Sequence, residues 1–291
     1  MSETSHISVM KEEVLKFFSE RYPGSFLDMT FGGGGHTQAI LDSHEKNSVT
    51  AVDCDPDAIK RAEALKRENP GRFTLRDGFF DEVELEENRY DGVLFDLGVS
   101  SFQLDETDRG FSFQTEAPAD MRMNPRQGMP AWELLEKADS AQLERIVRDY
   151  AEEPRWKAVI RDLEKERSSG RLRTTLSLAH AISRHAQKSP RIHPATRVFM
   201  GLRIAVNDEL GRIERALPRA FRALKSQGIM AIISFHSTED RIVKVFFQSV
   251  SRPTERAQAE LLVKKVERPG QEETLSNPRA RSAKLRVLKK F

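Results

Sequence analysis

Cysteine is almost missing from this chain of 291 residues, with Cys54 the only one. A disulfide framework and any multi-cysteine metal site are thereby excluded. Long apolar runs are missing too, and nothing approaches membrane-spanning length. The opening Met1-Ser-Glu-Thr-Ser-His6 has neither the basic nor the apolar region of a signal peptide. A cytoplasmic protein without a membrane partner is therefore expected. Charge of one sign is lacking as well, since 47 Lys and Arg against 45 Asp and Glu leave a formal net charge of +2. That balance announces no polyanion, so the distribution of charge has to carry the question. No internal repeat or low-complexity segment appears. The length suits one large domain, or one domain carrying an insertion, with ample core.

Two nucleotide-binding fingerprints are absent from the stretch that most resembles one. Phe26-Leu-Asp-Met-Thr-Phe-Gly-Gly-Gly-Gly-His36 reads as the end of a buried strand, a glycine turn and a helix start. The helix continues through His36-Thr-Gln-Ala-Ile-Leu41, turning Ala39, Ile40 and Leu41 toward a packed face. The dinucleotide pattern G-x-G-x-x-G fails in both registers, because Thr37 or Gln38 stands where the last glycine belongs. The phosphate loop fails because no Lys-Ser or Lys-Thr follows. What is present is Asp28 at one strand end and Asp53 at a second. The second carboxylate lies about 20 residues on, where it can accept both hydroxyls of a ribose. An adenosine ligand without a pyrophosphate fits, and S-adenosylmethionine is the commonest such cofactor. A flexible loop with scattered acids is the plainer alternative.

Along the chain, residues 9–21 read as an amphipathic helix broken by Pro23-Gly24. Strands are predicted at 48–53, 72–76 and 90–96, with a helix from Pro56 to the Asn69-Pro-Gly71 stop between the first two. This alternation predicts a parallel, doubly wound sheet. Beyond Ser101 the alternation ceases, and helices are predicted at 131–137, 141–150, 155–166, 175–187 and 195–209. Sheet character returns at 228–235, followed by a helix and late strands at 262–266 and 284–288. The reading is an α/β core over residues 1–103 and 206–291, with an all-helical insertion over 104–205. Ligands of open α/β sheets bind outside the carboxyl ends of the strands. An insertion rooted there is placed to grip a substrate.

Several side chains could carry chemistry. Asp53 ends a strand and suits a ribose, while Asp55 beside it suits helix capping. In Asp77-Gly-Phe-Phe80 an aromatic could pack on an adenine and the acid could bond its amino group, or the segment is an ordinary turn. Asp96 ends an apolar strand and precedes Gly98, so a carboxylate and backbone carbonyls could orient an amino group toward a methyl donor. Its plain alternative is a helix cap. Methylation at carbon 5 of a pyrimidine needs a cysteine over the base. Cys54 lies beside the ribose position instead, leaving nitrogen and oxygen acceptors. Ser234-Phe-His-Ser-Thr-Glu-Asp-Arg241 follows a strand at the same edge, and Thr238 is read as the cap of the next helix. His36, His193 and His236 share no metal-ligand spacing, so no metal is expected. Basic residues gather at Arg184, His185, Lys188, Arg191, His193, Arg197 and Arg203. They gather again in the tail 277–291, which holds six cations and no acid. Two basic segments near one active site suit a polyanion held through its phosphates.

Assembled, these stretches closely resemble the RsmH (MraW) family over nearly the whole chain. The likeness runs through Asp28-Met-Thr-Phe-Gly-Gly-Gly-Gly-His36, Asp53-Cys-Asp-Pro56, Asp96-Leu-Gly-Val-Ser-Ser101, Gln103-Leu-Asp105 and Arg109-Gly-Phe-Ser-Phe113. It continues in Asp120-Met-Arg-Met123, His193-Pro-Ala-Thr-Arg197, Ser234-Phe-His-Ser237, Glu239-Asp-Arg241 and Asn277-Pro-Arg-Ala-Arg281. The resemblance implies a Rossmann-like class I methyltransferase sheet with an inserted helical domain for rRNA recognition. It implies S-adenosyl-L-methionine as cofactor and the N4 amino group of a cytidine in the decoding region of bacterial 16S rRNA as acceptor. The family's cofactor contacts carry over to Gly34, Gly35, His36, Asp53, Phe80, Asp96 and Gln103, of which His36 and Gln103 rest on the resemblance alone. Asp96 is the catalytic candidate. Arg197, His236, Arg279 and Arg281 are the candidates for substrate contact. The partner expected is the small ribosomal subunit, and a homodimer stays open. Gly33 and Phe79 stand where relatives often differ, and Phe102 precedes Gln103 where a proline is common.

Overall fold

The computed structural model describes residues 8–189, 193–253 and 257–291. The opening residues read for a leader, and Arg191 of the basic cluster, lie outside them. Two compact units divide the chain, one of Met1–Gly98 with Leu210–Phe291 and the other of Val99–Glu209.

The first unit is built on strands β1 (Ser25–Asp28), β2 (Ser48–Asp53), β3 (Phe73–Asp77), β4 (Tyr90–Asp96), β5 (Leu224–Ser234), β6 (Ala259–Leu261) and β7 (Lys284–Lys290). They form one seven-stranded sheet in the order β3-β2-β1-β4-β5-β7-β6. Strands β1 to β5 run parallel, as the alternation predicts. The last two depart from it: β7 is antiparallel to β5, and β6 to β7. Helices α1 (Lys11–Phe18), α2 (Gly35–Ser43) and α3 (Pro56–Glu68) serve one face. There Val14, Phe18, Ile40 and Ala58 cluster with Phe26, Leu94, Ala231 and Val287 of the strands. α3 starts where the sequence places it, because Asp55 accepts the Asp57 N–H at 3.0 Å and Pro56 takes the first turn.

The second unit carries α4 (Ser101–Asp105), α5 (Ala131–Lys137), α6 (Ser140–Glu144), α7 (Trp156–Glu166), α8 (Thr175–Ser183) and α9 (Thr196–Asn207) around its own core. α4 is not predicted, and α8 ends four residues short of its predicted limit. The helix expected over 141–150 switches to π geometry at Arg145–Tyr150. Gly201 of α9 lies against that widened backbone, where a Cβ would stand 2.6 Å from the Ile146 carbonyl oxygen. The helix expected over 195–209 stops at Asn207, because Asp208 takes a left-handed φ of 51°, which aspartate tolerates better than most residues.

The chain then returns to the sheet through α10 (Glu209–Ala223), which the sequence reading passes over. Pro218 and Gly211 disguise it, although Ile213, Ala216, Leu217, Ala220 and Phe221 keep strict helical spacing and are all buried. α10 and α11 (Ser237–Val250) cover the other face, where Leu217, Phe221 and Val243 meet Leu27, Val93, Phe95 and Ile232. Strands buried on both faces need apolar residues in both phases, which is why β5 reads as an unbroken run. It begins at Leu224, four residues before its predicted start. A short α12 (Gln271–Ser276) lies between the last two strands.

The tail forms the strand predicted at 284–288, as β7, but departs from its reading as a basic surface. β7 sits between β5 and β6, and Leu285, Val287 and Leu288 are wholly buried. Lys284 and Arg286 hold Asp240 at 3.2 and 2.7 Å, and Lys289 pairs with Glu260 at 2.7 Å. Lys290 donates to the Phe221 and Leu224 carbonyls at 3.2 and 2.6 Å, closing the end of α10. Four of the tail's six cations are thus engaged within the fold, and the late strand predicted at 262–266 is instead β6, ending at Leu261. Removing the tail removes a central strand, so it cannot serve as a clean test of polyanion binding. Leu285→Ala should lower stability by about 2–5 kcal/mol in urea unfolding, and a chain ending at residue 283 should be recovered only as aggregate.

Candidate cofactor and active site

The first four strands each end in aspartate: Asp28, Asp53, Asp77 and Asp96. Because these strands are parallel neighbours, all four carboxylates stand on one edge of the sheet. They are not equivalent. Asp28 is buried, with Oδ1 accepting the Thr30 N–H at 3.1 Å and Oδ2 the Thr37 hydroxyl at 2.7 Å. Burial pushes its carboxyl above the usual range, against the pull of Thr37, His36 and Thr30. Both oxygens serve the turn after β1, so Asp28 braces the glycine loop.

Asp53 holds the other side of that loop. Its Oδ2 accepts the Gly32 N–H at 2.7 Å and its Oδ1 the Asp55 N–H at 2.9 Å. Burial raises its carboxyl to about 6, with the Asp55, Gly32 and Cys54 amides working the other way and the Asp55 charge adding to the rise. A carboxylate has about four lone-pair positions, so acceptor capacity is left for hydroxyl donors. Gly34 has φ of 78°, and a Cβ there would lie 2.7 Å from the Phe31 ring. The turn therefore needs glycine for its backbone and for space. α2 begins at Gly35, so Gly34, Gly35 and His36 make its first turn, the positive end of the helix.

His36 is buried, with Nε2 3.6 Å from Asp96 Oδ2. Burial is the largest influence on its imidazole and lowers its pKa. The Asp96 carboxylate and the charge of Asp28 outweigh it, leaving the ring more basic than an ordinary histidine. The Asp96 N–H donates to Thr30 Oγ1 at 2.7 Å, tying the end of β4 to the turn after β1. His36 Nε2 and Asp96 Oδ1 are buried without a hydrogen-bond partner among the described residues. Leaving such a group unsatisfied costs about 1–3 kcal/mol, more when charged. A ligand with polar groups at this edge removes that cost, so the residues present fit a cofactor bearing an amino acid and a ribose.

Phe80 follows β3, edge-on to Phe95 with ring centroids 5.8 Å apart. Its turn is fastened to Asp53 by the Gly78 N–H, 2.9 Å from the Asp53 carbonyl oxygen. The structure thus brings Gly34, Gly35, His36, Asp53, Phe80 and Asp96 to one sheet edge. Gln103 belongs to the other unit and acts locally, its Oε1 accepting the Ser100 N–H at 3.0 Å to cap α4.

The substrate candidates fare differently. His236 follows β5 and caps α11, its Nδ1 2.6 Å from the Thr238 hydroxyl and accepting the Glu239 N–H at 3.4 Å. The cap is therefore His236, and Thr238 is a partner of the cap. Arg279 and Arg281 are exposed on the turn before β7, which enters the sheet at this same edge because Lys284 pairs with Ser234. Arg197 is half-buried on α9, donating to the Glu152 carbonyl at 3.4 Å. Of the other basic residues, Arg184 pairs with Glu166 at 2.7 Å, His185 with Asp162 at 2.5 Å and Arg203 with Glu209 at 2.7 Å. These pairings reduce the positive surface that the sequence suggests. Sequence reasoning missed Thr30 and Thr37, whose hydroxyls bind the strand-end carboxyl and amide. Their only signal was their place beside the glycines.

Thr37→Val tests the brace. Removing the hydroxyl should destabilise the fold by about 1–3 kcal/mol at neutral pH. Thr37 lowers the Asp28 pKa, so its contribution exists while Asp28 is ionised and is lost as pH falls through the raised folded value. Urea midpoints of the two proteins should converge on acidification.

Residues 3–291 match the model of the MraW methylase family. The chain is 41% identical to the ribosomal RNA small subunit methyltransferase H of Wolinella succinogenes, covering 98% of each. It is 44% identical to the protein of that name from Granulibacter bethesdensis, over 98% of this chain and 91% of that one. With the counterpart from Thermomicrobium roseum it shares 40% identity over 99% and 94%. A glycine turn and aspartates at parallel strand ends, on a chain matched from end to end, place it in the MraW methylase family.

Proposed function

We propose that the protein transfers a methyl group from S-adenosylmethionine to the N4 amino group of a cytidine in small-subunit ribosomal RNA. The observation carrying this reading is the pair of buried, unpartnered polar atoms, His36 Nε2 and Asp96 Oδ1, beside a glycine turn stitched to Asp53. When bound, S-adenosylmethionine supplies an electrophilic methyl group on its sulfonium. The Asp53 carboxylate would take the ribose hydroxyls, Phe80 would pack on the adenine, and the first turn of α2 would hold the amino-acid end. Asp96 accepts a hydrogen bond from the acceptor amine and so aims the nitrogen lone pair, a matter of proximity and orientation. The amine sheds its proton only after it has gained the methyl, so no strong base is required beforehand. Cys54 is unsuited to nucleophilic attack: burial, followed by the charges of Asp53 and Asp55, pushes its thiol far above the ordinary range. A carbon acceptor needing a covalent cysteine is thereby disfavoured, in agreement with a nitrogen acceptor.

The helical unit is read as the part that recognises RNA, with Arg197 among its contacts and Arg279, Arg281 and His236 at the sheet edge. Support comes from the names of the curated relatives and from the exposure of Arg279 and Arg281. Gln103 as a cofactor contact rests on family resemblance.

Three results would test this reading. Labelled S-adenosylmethionine incubated with small subunits lacking the modification should place label in N4-methylcytidine after digestion, and label in any other nucleoside overturns the acceptor. Asp96→Ala should lower turnover at least about 100-fold, the scale of a lost orienting group. Near-normal methylation by that variant would remove Asp96 from the mechanism. Affinity for S-adenosylhomocysteine should fall by about tenfold per unit below pH 6, because a protonated Asp53 loses acceptor capacity for the ribose. Calorimetric titrations of the wild type and Asp53→Asn should show that dependence only in the former.

A further inference from the structure

α10 presents Arg212, Arg215 and Arg219 at i, i+3 and i+7, one row along the helix. All three converge on the segment that follows Phe80. Arg212 Nη1 lies 2.5 Å from Asp81 Oδ1 and 2.8 Å from Glu82 Oε1. Arg215 reaches Asp81 Oδ2 with Nε at 2.9 Å and Nη2 at 2.8 Å. Arg219 donates to the Asp81 carbonyl and, at 2.6 Å, to the Val83 carbonyl. Asp81 is buried, so its charge is held by two guanidiniums in a site poor in water. Arg212 also lies over Phe79, its Cζ 3.4 Å from the ring centroid, and its charge reaches Cys54 beside Asp53.

This is more anchorage than a surface turn needs. The turn it anchors stands between the ribose-binding strand end and the aromatic that faces the adenine: Gly78 is bonded to Asp53 on one side and Phe80 packs on Phe95 on the other. We infer that Arg212, supported by Arg215 and Arg219, is a positioning residue for the adenosine end of the site, setting the Gly78–Phe80 turn against Asp53. The inference rests on the cofactor reading above and assigns α10 a part in it. Arginine is required at 212 because only a planar, forked cation can stack on Phe79 and bridge Asp81 and Glu82 together.

The test uses the full-length enzyme and Arg212→Met, which keeps an unbranched stem while removing the plane and the charge. Binding of S-adenosylhomocysteine, measured by calorimetry, should weaken about tenfold, as expected when the competent turn falls to roughly a tenth of the population. The KM for S-adenosylmethionine should rise in parallel, with kcat at saturation and the KM for the small subunit within about twofold of wild type. Arg212→Lys, which keeps charge without the plane, should fall between the two. Purely structural damage reduces the active fraction instead, lowering kcat while the cofactor KM stays fixed, and that pattern overturns the inference. Should Arg212→Met fail to fold, Arg219→Met, which loses only carbonyl contacts, must show a smaller shift of the same kind, and an unchanged dissociation constant there also overturns it. If the wild type binds no S-adenosylhomocysteine, the cofactor reading has failed rather than the role of Arg212.

Discussion

A carboxylate at the end of a buried strand must find donors in the turn that follows, and the cofactor edge depends on that constraint. Strands β1, β2 and β4 have interiors buried on both faces, and each ends in an aspartate. An ionised group cannot lie between such strands without partners. Asp28 solves this with Thr30 and Thr37, and Asp53 with the amides of Gly32 and Asp55. Of these three, Asp96 keeps an oxygen unmatched among the described residues, on a carboxylate 3.6 Å from the Nε2 of a histidine that is unmatched too. Where the fold satisfies its own acids it builds a loop; where it leaves one short it leaves room for chemistry.

The same constraint explains why the glycine turn departs from the dinucleotide pattern. In a phosphate-binding turn the backbone amides point at an anion. Here the Gly32 amide is committed to Asp53, so the turn is closed on its own carboxylate and offers that carboxylate to hydroxyls. A neutral sugar suits this arrangement, and a pyrophosphate beside two acids does not. The missing fingerprint glycine at Thr37 has a positive role as well, since Thr37 supplies the hydroxyl that Asp28 requires.

Features carried by local chemistry were legible in the sequence. β2, β4 and α5 fall where periodicity puts them, and Asp55-Pro56 announces the start of α3 because cap and first-turn proline act within four residues. Features set by distant partners were not. α10 hid behind Pro218, whose cost is offset by an apolar face that only the assembled sheet reveals. The tail reads as a polyanion-binding run until Asp240 and Glu260, which no spacing rule connects to it, are found opposite its lysines and arginine. That His236 caps α11 is hidden for a similar reason, because imidazole is an uncommon cap and Thr238 the more familiar one. Charge counts along a chain overstate available charge wherever opposite charges return in space.

Internal pairing of the tail limits how a polyanion can be held. If a long basic tail were the grip, affinity for a polyanion would fall steeply with salt and care little for shape. With Lys284, Arg286, Lys289 and Lys290 engaged internally, the tail's exposed cations are Arg279 and Arg281 on a short turn before β7. Two arginines supply few phosphate contacts, and phosphate contacts fix register rather than sequence. On the reading proposed above, selection of one nucleotide would come largely from fitting a flipped base at the edge where Asp96 ends β4, and unstacking that base costs least in a strained or exposed stretch of RNA.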